Sequence, residues 1–527
     1  MTVKVMYISY QPYFLDLAKE MEKDEWDPVY WSVVPNIEEK VKIEYPKAIC
    51  HNHYDAIKGI PPKEYVNKEL EPLCPLLLEK MAGYERNALR MLERNDSHTN
   101  TFTYRERVDL YRYLVQYWNT IIRDLNPQHV VFEEEPHQAS DYVLYAVCHL
   151  MGVDTIMFIR TKFPERMYPI HRFEEGSVAI REAYQKKLIG KMVDNVELSA
   201  SMEKYFSDLQ GSYENAISLH LYNQVDEVQD ILENKSGIIL SIQNMRKTIS
   251  SKVNISDMLT RWNLLTSKPG TCFVSDQKQK NKLFRDSKLT YIEHLFYKAK
   301  AIFKKRKLKR HYDSIAQCSY DLSQPYVFCT LHNQPEKTTC PLGGDYTDQV
   351  FMIKTLSAAL PEGWLLYVKD HPSQFISNFS RYGEHFRSVE FYEAISELKN
   401  VRLLSLDSDT FELIDNSKAV ATVTGTSAWE GVVRGIPALV FGYCWFKHCN
   451  GIFYVYSYES VKDAFKKVSD GYKVNSDEAK IFAKVVEENS FKGVVGGPGI
   501  RKYFSIDDKE NGIAHAEAIR ALLLYQS

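Results

Sequence analysis

Apolar positions along the chain fall into two rhythms that alternate in two separate stretches. Short unbroken apolar runs at 3–9, 130–133 and 154–159 predict buried strands. Between them, 104–125 carries Leu110, Leu114, Tyr117, Ile121 and Leu125 at helical spacing, and 138–151 is a second apolar-faced helix. Pro127 closes the first of these helices and Gly152 the second, so residues 1–165 predict a parallel βαβ arrangement. The rhythm returns over 321–500, with strands predicted at 326–331, 364–369, 401–406, 419–424 and 437–441, each separated by helical pattern. Residues 166–320 between the two stretches are polar, poor in turn glycines and predicted to be mainly helical, as an insertion and connector. A last helix over 513–525 is apolar on one side and predicts packing back on the first domain.

Length and composition narrow the class. At 527 residues the chain exceeds what one core usually supports, so two or more domains are expected. A net charge of −3 gives no reason to expect nucleic acid as a partner. The nine cysteines are scattered without a CxxC pair, which argues against a disulfide framework or structural zinc. The N-terminus enters a strand directly, and no run reaches the roughly 18 apolar residues of a spanning helix. The expectation is a cytoplasmic protein, at most peripheral to a membrane. Residues 298–310 hold eight Lys or Arg interleaved with Ile302 and Phe303, which suits either an anionic membrane face or a solvated connector.

Candidate chemistry gathers at strand ends. The strand at 326–331 runs into His332 and Glu336, that at 364–369 into Lys369, Asp370, His371 and Pro372, and that at 419–424 into Gly425, Thr426 and Ser427. In a parallel sheet these carboxyl ends share one crevice, where ligands bind in open α/β folds. Backbone N–H groups at a helix start, two hydroxyls, a lysine and two histidines suit a phosphate without a metal. A histidine near its ordinary pKa can also protonate a leaving phosphate.

The segments 331–339, 367–372, 424–446 and 130–158 resemble the capsular polysaccharide biosynthesis family of glycosyltransferases, which have the GT-B fold of two Rossmann-like doubly wound domains facing a cleft. The resemblance implies a nucleotide-sugar donor, with CMP-activated ulosonic acids such as Kdo foremost, and a glycan or lipid-linked glycan acceptor. It implies that His371 and Thr426/Ser427 contact the nucleotide phosphate, and no cofactor or metal is expected. In the similar bacterial sialyltransferases an acidic pair before Gly houses the base; here the run is Glu133-Glu134-Glu135-Pro136-His137. Inverting transfer needs a base near the acceptor hydroxyl, and Glu134, Glu135 and His137 are the candidates, crowding being expected to raise a carboxylate's pKa. The alternative is that these acids cap the helix at 138–151, and Asp141 is expected to serve only its first turn.

Glu430 is a candidate for the nucleotide ribose; Arg434 is either ion-paired or donor-facing; Trp445 and His448 line the cleft or the core. Asp407-Ser408-Asp409 has the form of a DxD metal motif but precedes a helix, where such residues are ordinary caps. His51-Asn52-His53 is read as a loop. Three other functions fit the same residues: CDP-polyol phosphotransfer, as in teichoic-acid polymerases; UDP-sugar transfer; and a non-catalytic glycan-binding assembly subunit.

Overall fold

The computed structural model describes residues 2–95, 103–189, 196–212, 291–375, 386–497, 501 and 504–526. It contains two sheets. The first has seven strands: β1 (Val3–Ile8), β2 (Trp26–Val33), β3 (Ile49–Asn52), β4 (His129–Phe132), β5 (Asp154–Arg160), β6 (Arg166–Ile170) and β13 (Phe491–Lys492), in spatial order β13-β6-β5-β4-β1-β2-β3. The second has β7 (Tyr326–Thr330), β8 (Leu365–Lys369), β9 (Val401–Leu403), β10 (Ala419–Thr422), β11 (Ala438–Val440) and β12 (Ile452–Tyr454), in order β12-β11-β10-β7-β8-β9. All pairings of the second sheet are parallel. In the first, only β6 and β13 run antiparallel to their neighbours.

Both sheets therefore have the doubly wound order, reversing direction between β1 and β4 and between β7 and β10. Their central strands, buried on both faces, read as unbroken apolar runs rather than alternating ones, as in Val327-Phe328-Cys329 and Ala419-Val420-Ala421. Two Rossmann-like domains facing a cleft make the architecture GT-B.

Several elements depart from expectation. β2 carries Asp27 and Pro28 and shows no clean strand pattern, yet it pairs with β1 across a register shift between Val5 and Met6. The region expected to be mainly helical opens with β6, which pairs with β5 because Met167, Tyr168 and Ile170 are apolar and buried. Helices Val178–Ile189, Ala200–Gln210 and Tyr291–Ile315 follow in it, while its part over 213–290 lies outside the described residues. His51-Asn52-His53 is not a loop. It ends β3 and starts helix His53–Lys58, with Asn52 accepting from the Tyr54 N–H as N-cap. His51 is buried against Tyr30 and Tyr117, both hydroxyls lying within hydrogen-bond reach of its Nδ1.

The chain crosses between domains at its far end. After the second sheet, β13 joins the first, and helix Asp508–Gln526 lies on helix Tyr13–Met21. Gly512 sits at the crossing, where a Cβ would stand 2.6 Å from the Tyr13 carbonyl oxygen, so only glycine allows this approach. His515 is buried there against Phe158, ring centres 4.4 Å apart. Between the domains, Trp429 and Trp445 of the second pack with Phe163 of the first.

Candidate functional site

The second sheet builds its crevice where the strand order reverses. β7 leads to His332 and β10 to Gly425, and helix Thr426–Val433 starts immediately after it. Gly425 is the N-cap and offers no side-chain partner to the helix's first N–H groups, leaving them for an anion. Ser427 Oγ lies 2.6 Å from Thr330 Oγ1 across the gap. A Cβ on Gly425 would come 2.7 Å from Thr422 Oγ1 and 3.3 Å from His332 Cε1, so the imidazole packs on the glycine backbone.

His332 is buried. Its Nε2 lies 3.4 Å from the Thr424 N–H and 3.2 Å from Thr424 Oγ1, a hydroxyl that itself donates to the Thr338 carbonyl at 2.8 Å, while its buried Nδ1 has no partner among the described residues. Burial, reinforced by His371 and Arg387, pushes its pKa down to about 3. His332 is thus a neutral hydrogen-bonding group rather than a cation. His371 lies at the head of the turn Pro372–Phe375, its Nδ1 accepting from the Ser373 N–H at 3.2 Å.

Arg387 holds both histidine loops in place, a role the sequence does not reveal. Fully buried, it donates from Nε to Asp370 at 3.0 Å, from Nη1 to Gln334 at 2.5 Å and from Nη2 to the His332 carbonyl at 2.8 Å. Tyr392 adds a 2.6 Å hydrogen bond to the same Asp370 carboxylate. The link joins residues 17 and 55 positions apart, and no local motif marks it.

Two candidates point elsewhere. Lys369 does not reach the helix start: its ammonium donates to the Ser408 carbonyl at 2.5 Å and Thr410 Oγ1 at 3.1 Å, and burial pulls its pKa down to about 8. Arg434 is paired with Asp415, stacked on Phe411 and bonded to the Leu209 carbonyl. Asp409 caps helix Thr410–Asp415 by accepting from Phe411 and Glu412 N–H groups. No group of three His, Cys, Asp or Glu among the described residues is placed to hold a metal. Trp445 packs in the interdomain aromatic cluster, and His448 Nε2 contacts the Glu175 carbonyl at 3.0 Å.

Glu430 lies a turn along the helix. Burial raises its carboxyl pKa, opposed by a hydrogen bond from Thr426 and by the charge of Lys162, which reaches in from the loop after β5. Lys162 is itself pulled down to about 8 by burial and by Arg160, against the attraction of Glu430 and Glu336. The sequence offers no signal for Lys162, since it lies in the other domain.

The opposing wall is the end of β4. Lys337, from the second domain, reaches Glu134 at 2.7 Å and Glu135 at 2.9 Å, and Glu134 Oε1 lies 3.0 Å from His137 Nδ1. Burial acts against charge on Glu134, but Lys337 and His137 outweigh it and hold its carboxyl well below the usual range. Crowding among these acids thus does not raise Glu134 as expected, because an interdomain lysine intervenes. The elevated acid is Glu133, pushed up to about 8 by burial and then by the Glu134 charge, with Ser9 Oγ donating to it at 3.3 Å. Asp141 is more than a first-turn residue: buried and within the capping box with Gln138, it is pushed up to about 7, burial being the chief cause. Tyr10, 37% exposed, packs at a tilt against His53 beside this wall, ring centres 4.7 Å apart.

Residues 276–470 match the family described as capsule polysaccharide biosynthesis protein. No curated protein matches the chain. Among solved structures it is similar to KpsC of Thermosulfurimonas dismutans, a beta Kdo 2,7 transferase, at 9% identity over 81% of this chain and 91% of that one, with a TM-score of 0.27. It is also similar to UDP-GlcNAc 2-epimerases. That of Methanocaldococcus jannaschii, solved with UDP-GlcNAc and UDP, is 8% identical over 93% of this chain and 100% of that one, TM-score 0.22. That of Rickettsia bellii is 11% identical over 93% and 95%, TM-score 0.22. No residue role is taken from overlaps this loose.

Proposed function

We propose, from the match of residues 276–470 to the family described as capsule polysaccharide biosynthesis protein, that the protein is a GT-B glycosyltransferase of surface polysaccharide synthesis. It transfers a sugar, foremost an ulosonic acid from a CMP-activated donor, to a glycan acceptor with inversion and without a metal. The observation that carries this reading is the β7/β10 crevice. There Ser427 meets Thr330, the neutral His332 lies against Thr424, and helix Thr426–Val433 starts without a side-chain cap. This arrangement suits a phosphate, with His371 taken as a further partner from the next strand end. These are fixed dipoles and donors, the kind of preorganised groups that stabilise a departing phosphate.

His137 is the base in this reading. Glu134 receives its Nδ1 proton and orients the ring, as carboxylates do for catalytic histidines. Lys337 is bound to both Glu134 and Glu135, and the lowered pKa of Glu134 makes it a weak base itself. Glu430 stands ready for the ribose. Helix Tyr291–Ile315 exposes Phe296 and Phe303 beside Lys300, Lys304 and Lys307, a face suited to anionic lipid; sedimentation with phosphatidylglycerol vesicles tests it.

Nucleotide release from a donor panel tests the function. Purified protein would be given CMP-activated ulosonic acids, CDP-glycerol and UDP-sugars, with and without EDTA. CMP released from a CMP-sugar, insensitive to EDTA, supports the reading, and the anomeric configuration of the product by NMR tests inversion. Release of UDP alone, or of CMP from CDP-glycerol alone, replaces the donor. Silence with every donor, alongside tight nucleotide binding, turns the protein into a glycan-binding assembly subunit.

A further inference from the structure

A second feature of the cleft lies beside the phosphate crevice and is not used by it. Helix Pro75–Asn95 of the first domain presents Arg86, Arg90 and Arg94, four residues apart and so on one face, to the 334–349 segment of the second. The outer two are engaged. Arg86 pairs with Asp345, and Arg94 donates to the carbonyls of His137 and Cys340. Arg90 differs: its Nη1 is buried and has no hydrogen-bond partner among the described residues. It lines a cavity of 190 Å³ walled by both domains, with Arg94, Gln334, Glu336, Thr347 and Gln349 among its neighbours.

The carboxylates on that wall are already engaged. Glu336 accepts from Asn333 at 3.1 Å and Thr338 at 3.2 Å. Asp348 accepts from the Val350 and Phe351 N–H groups at the start of helix Gln349–Ala359. Glu93 lies 3.7 Å from Arg107. An unmatched guanidinium N–H out of water is costly, and guanidinium is the side chain that receives a planar anion through two parallel hydrogen bonds. The cavity is smaller than the pockets of about 300–1,000 Å³ that enclose drug-sized ligands, so it suits one acidic group and its ring rather than a nucleotide. Gln349 connects it to the crevice, its Oε1 accepting from the His332 N–H at 2.8 Å.

We infer that this cavity is an anion subsite in which Arg90 receives the carboxylate of an acidic sugar. The inference rests on the glycosyltransferase reading for its ligand class and deepens it: the substrate pair includes an acidic sugar, held between the domains next to the nucleotide.

The test is binding by calorimetry or ligand-observed NMR to the full chain, with glucuronate, glucose and CMP as separate probes, for the wild type, Arg90→Met and Arg90→Lys. Glucuronate is expected to bind and glucose not. Arg90→Met is expected to weaken glucuronate by about tenfold or more, and Arg90→Lys by less, with CMP affinity and Tm unchanged. If Arg90→Met does not fold, Arg90→Lys and Arg90→Gln carry the same comparison. Two further arms find the source of the carboxylate. Weakened binding of an intact CMP-ulosonic acid, with CMP unaffected, assigns it to the donor; weakened binding of an acidic oligosaccharide alone assigns it to the acceptor. Glucuronate binding untouched in Arg90→Met, or absent from the wild type, overturns the subsite. Failure of CMP to bind, with glucuronate binding intact, strikes the donor reading instead.

Discussion

The two domains place chemistry at the same topological position and give it opposite content. In the first, the reversal between β1 and β4 brings Ser9 to Glu133; in the second, the reversal between β7 and β10 brings Thr424 to His332. Each is a hydroxyl bridging to a buried titratable side chain across two strand ends. Burial keeps a proton on the acid, up to about 8, and takes one from the imidazole, down to about 3. Both are neutral near pH 7 because desolvation disfavours whichever form carries charge. Lys337 with Glu134 and Glu135 forms a cluster of formal charge that spans the domains. Doubly wound topology supplies the place, and the residues at two strand ends decide whether a buried acid or a buried imidazole stands there.

That contrast can be broken most decisively on the second side. His371→Ala is expected to lower kcat by about 10²–10⁴ with Tm nearly unchanged. Full activity in this variant removes the phosphate cradle from the reaction. Arg387→Met should act the other way, on stability, by about 3–5 kcal/mol, because Asp370 is left buried without its partner; urea unfolding reads it. A small stability loss would mean that the histidine loops hold themselves.

Glu133→Gln sharpens the first side through pH. A carboxyl raised from 4.5 to about 8 on folding contributes stability that is full below the lower value and lost as pH rises through the upper one. Wild-type Tm should thus fall across that window more steeply than that of Glu133→Gln, and parallel profiles would show Glu133 to be ordinary. The smallest effect belongs to Gly425→Ala, whose Cβ presses on Thr422 and His332 at an overpacking cost of about 1–3 kcal/mol. It should appear as weaker CMP binding, and unchanged affinity would show that the turn yields freely.

The halves of the molecule were unequally legible. Strands β7, β8 and β10 are apolar runs closed by polar strand ends, so His332, His371 and Gly425 could be placed on one edge from local pattern alone. β2 hides behind Asp27 and Pro28, and β13 spans two residues, too short for any periodicity. Lys369 and Arg434 sit at legible positions, but where a long flexible side chain points is decided by its neighbours: Ser408 and Thr410 for one, Asp415 and Phe411 for the other. Arg387, Lys162 and Lys337 act on partners far away in sequence, and Arg90 lines a cavity whose other wall is far away in sequence, which period and spacing do not encode. Glu133 opens a run of three acids, and what separates it from the other two is that Lys337 pairs with them.

The return of the chain to its first domain has a consequence for biosynthesis. β13 and helix Asp508–Gln526 complete a sheet and a helical layer begun by Val3–Ile8 and Tyr13–Met21, so the domain translated first is finished last. While the ribosome is still making the second sheet, the flank of helix Tyr13–Met21 that will receive Gly512 and His515 is bare, and the growing polypeptide must keep it from other nascent chains. The first domain closes its fold only once residues 491–526 have been made, after the second sheet is already complete.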